Sequence, residues 1–153
     1  FYVLHLLKLV IIILDMDYKE KIKKIEKIIA VIEQVADNNT DKLVKKAREE
    51  VITKLKRQLE KTKEILSKET DKEEKVIYQA HIDAIQKVLD LLHKGISLEE
   101  IQEIIGEWGI ESVKKMKSDR ESRLYYSAFE DALNFISEII HHAQGYYTPA
   151  DTL

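Results

Sequence analysis

The stretch from Thr70 to Ile105 carries the strongest apolar face and the sharpest punctuation in the chain, and it restricts the fold to helices. Val76, Ile77, Ala80, His81, Ala84, Ile85, Val88, Leu89 and Leu92 recur at helical spacing, so one wide stripe must be buried against other elements. Thr70 followed by Glu73 has the spacing of a capping box, which predicts a helix start there. Gly95 predicts its end, because glycine enters the left-handed conformation without a Cβ penalty. Ser97 with Glu100 repeats the cap signal, and Ile96 and Ile101 are placed as a hydrophobic staple. A shorter bridging helix is therefore expected near 98–105.

Composition supports the same class. A chain of 153 residues is one domain by size, long enough to bury roughly 70% of its unfolded surface. Four glycines and one proline are too few for the turns of an all-β chain. The absence of cysteine removes disulfides, thiolate nucleophiles and zinc ribbons together. Charged residues make up 35% with a net of only −3, a mixed surface without a strong field. The charge is divided unevenly. Asp17 to Lys75 holds 17 Lys/Arg against 14 Asp/Glu, whereas Val76 onward holds 7 against 13. The Lys, Glu and Ile enrichment resembles a thermophile surface, a bias that AT-rich coding produces equally.

Phe1 to Leu14 is apolar, without clear period, and interrupted by His5 and Lys8. It is about 6 residues too short to span a bilayer, and its charge is misplaced for a secretory signal. Three readings stay open: read-through upstream of a start at Met16, a packed element of the domain, or the tail of a truncated membrane anchor. Residues 1–15 are accordingly set apart from a helical bundle domain over 16–145 and a flexible tail over 146–153. Within the bundle, Asp17 begins a helix to about Asp37, with Ile22, Ile25, Ile28, Ile29, Ile32 and Val35 as a narrow stripe that needs a partner. Asp37-Asn38-Asn39-Thr40 reads as a turn ending in an N-cap. A long helix follows over about 41–68, in which Val44, Val51, Leu55, Thr62 and Leu66 approach a heptad seam. Beyond Gly106 and Gly109, Ile110, Val113 and Met116 mark a helical turn or two. Ser118 to Glu121 is another capping box, and the last helix runs from about 119 to 144 along Leu124, Tyr125, Ala128, Phe129, Ala132, Leu133, Ile136, Ile139 and Ile140.

Little of this names a chemistry. Asp90 with His93 and Glu138 with His141 have the carboxylate-x-x-His spacing of di-iron bundles, but their phase puts them on polar helix sides. His81 alone interrupts an apolar stripe, as a boundary histidine with a hydrogen-bond partner. Ser127 lies on a helix face without a glycine elbow, and no phosphate loop or dinucleotide fingerprint occurs. The basic run Lys42 to Lys63 interleaves Glu49, Glu50 and Glu60 as a solvated face. The segment from Gly95 to Leu124, through Ser97, Glu100, Ile101, Gly106 and Val113, resembles the helix-turn-helix of bacterial transcription regulators and sigma-type factors. That resemblance implies a recognition helix over Glu111 to Lys117 and nucleic-acid contacts from Lys114, Lys115, Lys117, Arg120 and Arg123. Gln102 stands where that family has a small residue, and the acidic second half has the wrong sign for duplex binding.

The expectation is an all-α protein, an antiparallel bundle of four long helices with a short bridging helix, in the cytoplasm. Neither an enzymatic activity nor a metal or cofactor is expected. The first reading is a self-associating interaction or scaffold protein whose partner is itself or another helical protein, with Tyr126, Tyr146 and Tyr147 as interface residues. A DNA-binding regulator is the second reading. A membrane-anchored protein is the third, resting only on residues 1–14.

Overall fold

A computed structural model describes residues 2–14, 17–116 and 118–145. Among these the regular structure is entirely α-helical: α1 Tyr2–Leu14, α2 Tyr18–Lys68, α3 Lys72–His93, α4 Leu98–Lys115 and α5 Arg120–Gln144. The chain divides into two compact units, Phe1–Lys42 and Leu43–Leu153.

Two expected breaks do not occur. Residues 37–40 continue α2 rather than turning. Asp, Asn and Thr each disfavour a helix by only about 0.5–0.7 kcal/mol, with neither Gly nor Pro among them. Thr40 donates its hydroxyl back to the carbonyl of Ala36 at 3.0 Å, which satisfies it without ending the helix. Likewise α4 passes through Gly106 and Gly109 to Lys115, so the bridging helix has 18 residues instead of ending near 105. Two glycines cost about 1 kcal/mol each there. The face they interrupt is anchored by buried Leu98, Ile101 and Ile105 before them and by Ser112 after, whose hydroxyl donates to the Trp108 carbonyl at 2.8 Å.

Caps set the other boundaries, twice one residue later than expected. Asp71, not Thr70, begins α3, its carboxylate accepting from the amides of Glu73 and Glu74 at 2.8 and 3.2 Å. Asp119, not Ser118, begins α5, accepting from the Ser122 amide at 2.9 Å. In both places a carboxylate outcompetes a hydroxyl, because it is the stronger acceptor and its charge suits the positive helix end. Ser97 caps α4 as expected, accepting from the Glu100 amide. Gly95, at φ +84°, ends α3. The Gly95 amide donates to Leu92 and the Ile96 amide to Leu91, the paired bonds of a Schellman motif.

The core lies in the C-terminal unit. Ala47, Val51, Leu55 and Leu59 of α2 are buried together with Ala80, Ala84, Ile85, Val88, Leu89 and Leu92 of α3. Leu98, Ile101 and Ile105 of α4 join Phe129, Leu133, Ile136, Ile140 and Ala143 of α5 in the same cluster. Contact is most extensive between α3 and α5, then between α4 and α5. Gln102, placed on α4 where a small residue was expected, exchanges hydrogen bonds with Ser137 of α5: its amide donates to the Ser137 carbonyl at 3.0 Å and accepts from the hydroxyl at 2.8 Å. The half-buried Arg48 guanidinium donates to the carbonyls of Leu92, in the last turn of α3, and of Ile96, just beyond it, where a cation also suits the helix dipole.

Among the described residues, those of that core belong to the C-terminal unit. Along α1, Tyr2, Val3, Leu4, Leu7, Val10, Ile11 and Ile12 are exposed, as are Ile22, Ile25, Ile29, Val31 and Ile32 of α2. None of the described helices is long and apolar enough to cross a membrane.

Candidate functional site

The cationic residues picked out by the helix-turn-helix resemblance are spread over more than one hollow. Lys114 and Lys115, in the last turn of α4, line an open groove of about 1130 Å³ together with Lys72 and Lys75 from the first turn of α3. Leu66, Val76, Tyr125 and Tyr126 supply its apolar wall, and Asp119 and Glu121 offset part of its positive charge. Arg120 and Arg123 instead line a separate hollow of about 660 Å³ with His81, Ser127 and Asp131. Arg120 also borders a smaller hollow that shares Lys72, Val76 and Glu121 with the groove, and there Glu73 engages it in a two-pronged pair of 2.8 and 3.0 Å. Lys117 lies outside the described residues, as do Tyr146 and Tyr147.

The recognition helix implied by that resemblance is absent as a separate element, since Glu111 to Lys115 simply extends α4. Val113, which would be buried under such a helix, is 55% exposed, and Ile110 is exposed as well. The reason is phase: with α4 unbroken, the face continuing Ile101, Ile105 and Trp108 reaches Ser112, and Val113 turns outward. Sequence reading missed Lys72 and Lys75, although their i,i+3 spacing beside the cap places both on one side of the first turn.

Tyr126 is half-buried in the groove and meets the ring of Tyr125 edge-on, with centroids 5.1 Å apart. Tyr125 packs against the core and donates its hydroxyl to Asp83 at 2.5 Å. Burial first, and the Asp83 carboxylate second, push its phenol above the ordinary tyrosine range, so it remains a donor. Trp108 stacks beneath the Lys87 ammonium, 5.2 Å from the ring centre. His81 is half-buried at the edge of its stripe. Burial lowers its pKa from the ordinary value, against an opposing pull from Asp131. Asp90, His93, Glu138 and His141 are all exposed, as their helical phase requires.

The second surface belongs to the N-terminal unit and is apolar. Ile22, Ile25, Ile29 and Ile32 stand 42%, 46%, 48% and 48% exposed. Their spacing of three, four and three residues aligns them along one side of α2. Lysines and glutamates flank this row. No family model, curated protein or solved structure matches the chain. A row of β-branched side chains of this length left in water, like the exposed apolar residues of α1, departs from an ordinary monomer surface.

Proposed function

We propose that the protein is a non-catalytic, self-associating helical interaction module. In this reading residues 43–144 form an antiparallel bundle and the N-terminal unit carries the association face. The observation that supports it is the row Ile22, Ile25, Ile29 and Ile32, each nearly half exposed on a helix with no break before Lys68. Covering such side chains by association recovers on the order of 25 cal/mol per Å² of apolar surface removed from water. The short links 69–71 and 94–97, and the hydrogen bonds that join Glu99 to Gln144 and Gln102 to Ser137, pairing the start of α4 with the end of α5, support the antiparallel bundle.

Size-exclusion chromatography with light scattering on the full chain tests this reading, repeated with a short mixed-sequence DNA duplex at low and high salt. The expected outcome is a stable oligomer indifferent to the duplex. A monomer at every concentration overturns it, and a monomer that shifts with the duplex only at low salt puts the Lys72, Lys75, Lys114 and Lys115 groove in its place.

A further inference from the structure

We infer that residues 18–42 of α2 assemble with two further copies of this chain as a parallel, in-register, three-stranded coiled coil. The inference rests on the self-association proposed above and adds its stoichiometry, direction and register.

Because α2 does not turn at residues 37–40, one heptad frame runs through the segment. Ile22, Ile29 and Ala36 fall at a; Tyr18, Ile25, Ile32 and Asn39 fall at d. That is six consecutive core positions, from Tyr18 to Ala36, filled by apolar residues before Asn39. The half-exposed isoleucines are these same a and d residues.

Stoichiometry follows from side-chain shape. Isoleucine at a with leucine at d suits two strands, whereas isoleucine at both a and d shifts the preference to three or four. Here all four central layers are isoleucine. The flanking g positions agree, since Ile28 and Val35 widen the apolar face beyond the narrow seam that a two-stranded coil covers. The e positions hold Glu26 and Glu33, which limit that widening to one side and favour three strands over four.

Direction follows from charge. In a parallel in-register coil the g residue of one strand meets the e residue five positions later on its neighbour, so Lys21 faces Glu26 of the next copy around the ring. An antiparallel arrangement that aligns the isoleucines turns about residue 27 and brings Glu26 against Glu26 of its mate, an unfavourable pair. Register follows from Asn39. In a parallel ring three Asn39 amides share one layer and bond to one another, while any slip of one heptad sets the amide against isoleucine.

The test uses the full chain, which contains no cysteine of its own. Sedimentation equilibrium gives the mass, and single-cysteine variants give direction under mild oxidation with glutathione disulfide. Ala36→Cys sits at a, where parallel neighbours approach within disulfide reach; Glu26→Cys crosslinks efficiently only in the antiparallel form. The expected result is three times the chain mass, with Ala36→Cys forming a covalent dimer and Glu26→Cys remaining largely uncoupled. Lys21→Glu should weaken association roughly tenfold, and Lys21→Glu combined with Glu26→Lys should restore it. A twofold or fourfold mass, or coupling through Glu26→Cys instead of Ala36→Cys, overturns the coil while leaving self-association standing. A monomer overturns both, and a monomer that pelleted with phosphatidylglycerol vesicles would make a lipid surface the occupant of the face.

Discussion

Asp71 and Asp119 are the residues that place the two longest helices of the C-terminal unit after α2. Each follows a hydroxyl residue, Thr70 or Ser118, that has the better capping-box spacing in the sequence. The folded chain chooses the aspartate in both cases, and at Asp71 one oxygen serves two amides. The position of a cap is legible in the sequence to within a residue. Its identity is not, because it depends on the backbone angles with which the preceding link arrives. Asp71→Ala should therefore lower stability by about 1 kcal/mol, whereas Thr70→Ala should change it by no more than a few tenths. Urea unfolding of the two variants checks the assignment, and equal losses would return the cap to Thr70. Gly95 was legible outright, since a positive φ of +84° is a demand that only a few residue types meet.

At the scale of elements, α2 and α4 show where local signals yield. Asp37 to Thr40 and Gly106 to Gly109 are break signals between apolar runs, yet both lie inside helices. Propensity costs of one or two kcal/mol are small beside the burial of Ile101, Ile105, Trp108 and Ser112 along one continuous face. A Cβ added at Gly106 or Gly109 would meet nothing within 4 Å. Gly106→Ala and Gly109→Ala should accordingly each raise stability by about 0.5–1 kcal/mol, read as a higher urea midpoint with unchanged slope. A loss instead would mean that a turn, and with it the helix-turn-helix geometry, forms at this place. The same continuity turns Asn39 from a turn residue into a polar layer of the heptad frame.

For the whole molecule, the decisive contrast is between apolar residues that look alike in sequence and differ in burial. Leu55 is fully buried in the C-terminal unit, while Ile25 is 46% exposed in the N-terminal one. Leu55→Asp should destabilise the C-terminal unit by about 3–5 kcal/mol, the cost of a charge placed in the core. Ile25→Asp should leave that unit's unfolding within about 0.5 kcal/mol and lower the mass in solution instead. Calorimetry and light scattering on the two variants separate core from association face.

The sequence by itself determined that the protein is helical, where α3 and α5 lie to within a residue or two, and which residues of α3 and α5 face inward, because a period of 3.6 is a local property. It also located Tyr126, Lys114 and Lys115 near one another in the chain. Only the tertiary structure decided that these three share a groove with Lys72 and Lys75, that Arg120 pairs with Glu73, and that Ile22, Ile25, Ile29 and Ile32 of α2 remain in water. Amphipathic spacing states that a face needs a partner; whether the chain supplies that partner depends on residues far away in sequence, which no local pattern encodes.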